Sequence, residues 1–176
     1  LPFSFINPNR NRLFLLYSMI QGFTETNITT FISTEDNRID TKVASTQIRF
    51  LVKFINDMDG SVDYVYPESQ IFNRYTKMAF IYSLSPDMFS NQINLLPSGY
   101  WKYEVYEVSW IGSVVVASGT APATEIDVLP VADTNGIVQG IVTKGKLNLT
   151  EKDGTEQVQY TQHPEVSGEN FIYYGQ

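Results

Sequence analysis

The chain has 176 residues, a formal net charge of −7 and no cysteine. That charge argues against the class of proteins that grip nucleic acid by neutralising phosphates, and the missing cysteines exclude disulfides and thiolate metal sites and suit folding in a reducing cytoplasm. No apolar run reaches the roughly 18 residues of a membrane-spanning helix, while eleven Phe and eleven Tyr suit a β-rich fold with a real core.

Residues 1–11 read as an extended arm. Pro2 and Pro8 exclude a helix, and Asn7, Asn9 and Asn11 favour turns. Phe3, Phe5 and Ile6 in this arm need burial, either on a partner subunit or on the chain's own sheet, and are its candidate interface anchors. Residues 12–176 form one domain. The apolar run 12–20 fits a buried strand better than a short helix, and the threonine-rich stretch 24–33 reads as a second strand. Residues 34–42 are polar and form a loop. Residues 47–55 alternate, with Ile48, Phe50, Val52 and Phe54 on one face and Gln47, Arg49 and Lys53 on the other. Asp57-Met58-Asp59-Gly60 is a turn, residues 62–66 pair back antiparallel, and Pro67 ends that strand. Residues 70–83 hold another strand, with Met78, Phe80 and Tyr82 on one face. Residues 85–96 contain the only predicted helix, opening at Ser85 as N-cap with Pro86 in the first helical position.

Residues 97–110 are the centre of the chain. Pro97-Ser98-Gly99 supplies a turn, and the strand after it alternates Trp101, Tyr103 and Val105 inward with Lys102 and Glu104 outward. With Phe50 and Val52, these three inward residues are the expected core. Residues 114–117 read as the returning strand and 118–135 as a long loop. Residues 136–150 form one long strand in which Ile137, Ile141, Leu147 and Leu149 share even spacing, and Gly140 and Gly145 mark a bulge or a close backbone approach. A turn at 151–155, a strand at 156–161 pairing back, a loop at 162–170 and a last strand at 171–174 complete the chain. Strands at this spacing point to an all-β fold: an antiparallel β-sandwich, Ig-like, with an extended N-terminal arm.

The chemistry of the side chains is sparse. His163 is the only histidine and lies in a polar loop beside Pro164, so neither a triad nor a histidine metal site has its parts. Asp57, Asp59 and Asp63 gather at a hairpin tip without the twelve-residue calcium-loop pattern, which favours a solvated turn. Glu104 and Glu107 lie on opposite faces of the central strand, where they blunt an exposed surface or meet a partner's lysine. Gly140 to Leu147 imitates the start of a phosphate-binding loop, but position 147 is leucine and no helix follows. Asn27-Ile28-Thr29 and Asn148-Leu149-Thr150 match the glycosylation pattern, which is common by chance. Tyr64 and Tyr66, with Tyr100, offer an aromatic platform for a sugar, weighed against ordinary packing. No cofactor is expected, and the chain reads as non-enzymatic.

Gly99-Tyr-Trp-Lys-Tyr-Glu-Val-Tyr-Glu107, then Gly136-Ile-Val-Gln-Gly-Ile-Val-Thr-Lys-Gly-Lys-Leu147, then Phe171-Ile-Tyr-Tyr-Gly175 resemble a group of small virion structural proteins of tailed bacteriophages. The resemblance covers the C-terminal half of the chain. It implies a β-sandwich on the particle with no catalytic residues, in the first place a capsid decoration or auxiliary protein that binds and stabilises the head. A head-fibre, neck or tail component is the alternative it leaves, beside the carbohydrate-binding module that the tyrosines suggest. The partners implied are the major capsid protein or other virion proteins and a possible homo-oligomer, with no nucleic acid and no membrane. The location implied is the virion, assembled in the bacterial host cytoplasm.

Overall fold

Alternating apolar residues become strands throughout the computed structural model, which describes residues 19–116 and 136–153. Phe3, Phe5, Ile6 and the rest of the arm lie outside the described residues. So do His163, the loop 118–135 and the strands expected at 156–161 and 171–174. Nine strands are described: β1 (Met19–Phe23), β2 (Ile28–Ile32), β3 (Ile48–Asn56), β4 (Val62–Val65), β5 (Glu68–Ile71), β6 (Thr76–Tyr82), β7 (Gln92–Ile93), β8 (Gly99–Ser109) and β9 (Ile137–Thr150).

They form two sheets packed face to face, a β-sandwich. One has the order β1-β9-β8-β3-β4, so β8 is its middle strand; the other has the order β2-β6-β5, with β7 paired to the end of β6. Most pairings are antiparallel, but β1 runs parallel to β9 and β7 parallel to β6. The core lies between the sheets. Trp101, Tyr103 and Val105 from β8 and Phe50, Val52 and Phe54 from β3 meet Ile28, Ile32, Met78 and Phe80 from the smaller sheet, all of them buried. Phe54 and Phe80 clasp the two sheets edge to face, with ring centroids 5.5 Å apart, a geometry favoured by the ring quadrupoles.

A second, smaller cluster sits on the opposite face of the larger sheet. Leu51, Tyr66, Tyr106, Val108 and Trp110 are buried there beneath Met88, Phe89, Val114 and Val116. This explains why 114–116 is not the expected returning strand. Both edges of β8 are occupied, by β3 and by β9, so the segment has no ladder to join and lays its valines over the outer cluster instead.

The strand expected within 70–83 is β6, with Met78 and Phe80 buried on one face, and a strand that was not expected, β5, pairs with it in a hairpin closed where Phe72 N donates to Tyr75 O at 2.8 Å. One further expectation is corrected. The helix expected over 85–96 is one 3₁₀ turn, Met88–Ser90. Its cap is Asp87 rather than Ser85: the Asp87 carboxylate accepts from Phe89 N at 3.0 Å and from Ser90 Oγ at 2.6 Å. Asn91 at φ 55° then ends the turn, and Gln92 and Ile93 find a ladder beside β6. A local start signal loses here to a nearby strand edge.

The long strand β9 contains the expected irregularity. Its register with β8 shifts between Val105 and Tyr106 and again between Glu107 and Val108, and Gly140 at φ 145° lies between the two shifts. An L side chain rarely adopts that φ, which is why glycine stands there. The extra residue turns Val142 into the core and leaves Ile141 exposed, so the even spacing of Ile137, Ile141, Leu147 and Leu149 does not hold them on one face.

Candidate functional site

The central strand carries a buried acid. Counting inward positions along β8 from Trp101 gives Tyr103, Val105 and then Glu107, which has no exposed surface. Its carboxylate accepts from two consecutive backbone amides, Ile39 N at 3.0 Å and Asp40 N at 2.7 Å. Ser109, the next inward residue, donates its hydroxyl to Asp40 Oδ2 at 2.9 Å and accepts from Gln139 Nε2 at 2.9 Å. Arg38 Nη2 donates to the carbonyls of Asp40 and Val43, and Asn37 Nδ2 to that of Val142. The Ser109 hydroxyl, first among several donors, holds the Asp40 carboxyl below the ordinary carboxylate range. These bonds fasten the loop between β2 and β3 over one end of the core. They form a structural latch, since the acid at its centre is closed to any substrate.

Glu107 therefore neither blunts a surface nor waits for a partner's lysine. Glu104 points to the other face, where its carboxylate accepts from Tyr106 Oη at 2.7 Å and lies 3.9 Å from Lys53 Nζ. A pair of acids separated by the sheet cannot flank one glycosidic bond. The signal for the buried acid was the two-residue period of β8 itself, which puts Glu107 in the row of Trp101 and Tyr103.

The hairpin aspartates do not converge either. Asp57 turns to Lys102 and Lys146, at 2.9 and 3.9 Å, Asp59 accepts from Ser61 N at 2.8 Å, and no metal-holding group of His, Cys, Asp or Glu exists among the described residues. The aromatic platform also divides. Tyr66 is buried and stacks on Phe89 at 5.9 Å, and burial pushes its phenol well above the ordinary value. Tyr64 packs beneath the Lys53 ammonium, 5.9 Å from the ring centroid, and only Tyr100 is openly exposed. The stretch that imitates a phosphate loop is the interior of β9. Of the two glycosylation patterns, Asn27 Oδ1 accepts from Tyr82 N and Asn148 Nδ2 donates to Gln21 Oε1.

Two surface features remain that sequence reasoning missed. On the outer side of the smaller sheet, Phe31, Tyr75 and Phe72 form a continuous aromatic patch. The Phe31 and Tyr75 rings meet edge to face at 5.6 Å, those of Tyr75 and Phe72 stack at 5.1 Å, and their exposures are 58%, 44% and 37% in the order Phe31, Tyr75, Phe72. Phe31 is visible as an outward position of β2, but its neighbours come from the tip of a hairpin that the sequence pattern did not reveal. On the larger sheet, Lys102, Lys144 and Lys146 line a hollow of about 460 Å³ beside Met19. No family model matches the chain, and no curated protein or solved structure matches it.

Proposed function

We propose that the chain is a non-enzymatic structural protein of a tailed-phage virion, a decoration or auxiliary protein that binds the capsid and stabilises the head. The observation that carries this reading is the exposed aromatic patch of Phe31, Tyr75 and Phe72. Contiguous exposed apolar surface marks an interaction site far more often than a scattered apolar residue does, and aromatic rings dominate the energetics of protein interfaces. The sandwich architecture, the latched acid and the resemblance of the C-terminal half to virion proteins support the same reading. The partners are the major capsid protein or other virion proteins, with Phe3, Phe5 and Ile6 of the arm as additional anchors.

The test is co-sedimentation of the purified chain with phage heads that lack it. Binding by the unaltered protein and a loss of about tenfold or more in affinity for Phe31→Ser combined with Tyr75→Ser are expected. Removing residues 1–10 should abolish binding and leave the circular dichroism spectrum of the domain in place. Heads that ignore the unaltered protein, or that bind the double variant equally well, overturn the reading.

A further inference from the structure

One face of this acidic molecule carries the opposite charge. Lys102 on β8 and Lys146 on β9 stand directly opposite each other in the ladder, an arrangement of like charges that costs stability in a sheet. Asp57 offsets part of that cost, with one carboxylate oxygen 2.9 Å from Lys102 Nζ and the other 3.9 Å from Lys146 Nζ. Lys144 stands opposite Glu104, yet the Glu104 carboxylate is engaged by Tyr106 Oη and lies near Lys53. Lys144 makes no ion pair among the described residues. Three ammonium groups and the Glu104 carboxylate thus line one hollow of about 460 Å³, and among the described residues Asp57 is the one carboxylate within ion-pair distance of these lysines. The side chain of Met19, half exposed, supplies an apolar wall.

We propose that this hollow binds an acidic segment of a partner protein, with its carboxylates on the lysines and an apolar side chain against Met19. The charge is complementary to carboxylates, and the volume suits a few side chains. A nucleic-acid strand fits less well, because Asp57 and Glu104 interrupt the lysines and the chain's net charge of −7 repels a long polyanion. The proposal stands apart from the virion reading and does not need the aromatic patch, which lies on the other sheet.

The experiment uses the full chain and a fluorescein-labelled hexapeptide alternating glutamate and valine, followed by fluorescence anisotropy at low salt. Saturable binding that weakens as salt is added is expected. Lys144→Gln and Lys146→Gln should each weaken it about fivefold, the size of one exposed ion pair. Asp57→Asn should tighten it by a similar factor, because Lys102 and Lys146 lose their internal competitor; a merely structural Asp57 would not produce that sign. Lys77→Gln on the smaller sheet should change nothing. Absence of saturable binding overturns the proposal, as does an Asp57→Asn variant that binds no better. An oligothymidylate of equal charge that binds as tightly as the peptide also overturns it.

Discussion

At the scale of single residues, Glu107 shows how an acid becomes part of a core. A carboxylate without solvent is costly unless its oxygens are satisfied. Here each oxygen takes one backbone amide of the covering loop, so the charge and the loop hold each other in place. Glu107→Gln keeps the shape but turns an amide NH₂ toward one of those donors. It should destabilise the fold by about 1–3 kcal/mol, read as a lower urea midpoint. Asp63 behaves in the opposite way. Desolvation, aided by the charge of Asp59, raises its pKa above 3.8, so its ionised form is disfavoured in the folded protein. The unfolded chain gives up that proton first as pH rises, and Asp63 therefore subtracts stability from the ordinary carboxylate range upward. Asp63→Asn should raise the unfolding free energy at neutral pH by less than about 1 kcal/mol, because the group meets solvent, read as a higher urea midpoint. The gain should vanish by about pH 3, where both states are protonated.

At the scale of elements, what was legible in the sequence depends on how local each cause is. In β3 and the first half of β8 the two-residue alternation is both cause and signal, and Phe50, Val52, Trp101, Tyr103 and Val105 are buried where that alternation puts them. Beyond Val105 the pattern blurs, because Tyr106, Val108 and Trp110 are buried too, on the second face, by a segment that no periodicity announces. The shift from Ile141 to Val142 was half legible: Gly140 flagged an irregularity, but only the pairing with β8 decides which neighbour turns inward. Ser85-Pro86 is a helix start that was never used, since Ile93 gains more beside β6 than it would in an isolated turn. The start of β9 carries a further constraint. A Cβ on Gly136 would lie 2.6 Å from two ring atoms of Trp110 and 2.7 Å from Val108 Cγ1, and a packed indole cannot yield easily. Gly136→Ala should cost about 1–3 kcal/mol in thermal or urea unfolding. Gly22→Ala, whose Cβ would meet the flexible tip of Ile28 at 2.9 Å, should cost less.

At the scale of the whole molecule, the two broad faces of the larger sheet have different tasks. One closes the core against the smaller sheet. The other is roofed by valines and a 3₁₀ turn at one end and, among the described residues, carries its lysines uncovered at the other. None of the candidate surfaces followed from a motif: the aromatic patch and the basic hollow are assembled from strands distant in sequence. The parallel pairing of β1 with β9 is the extreme case, since Gln21 and Asn148, 127 residues apart, are side by side. That pairing also sets an order of events during synthesis. At about 5–20 residues per second, β1 leaves the ribosome roughly 6–25 s before its ladder partner exists. During that interval Ile20, buried in the finished fold, has no ladder partner, and the larger sheet gains its edge strand β1 only when β9 arrives beside it.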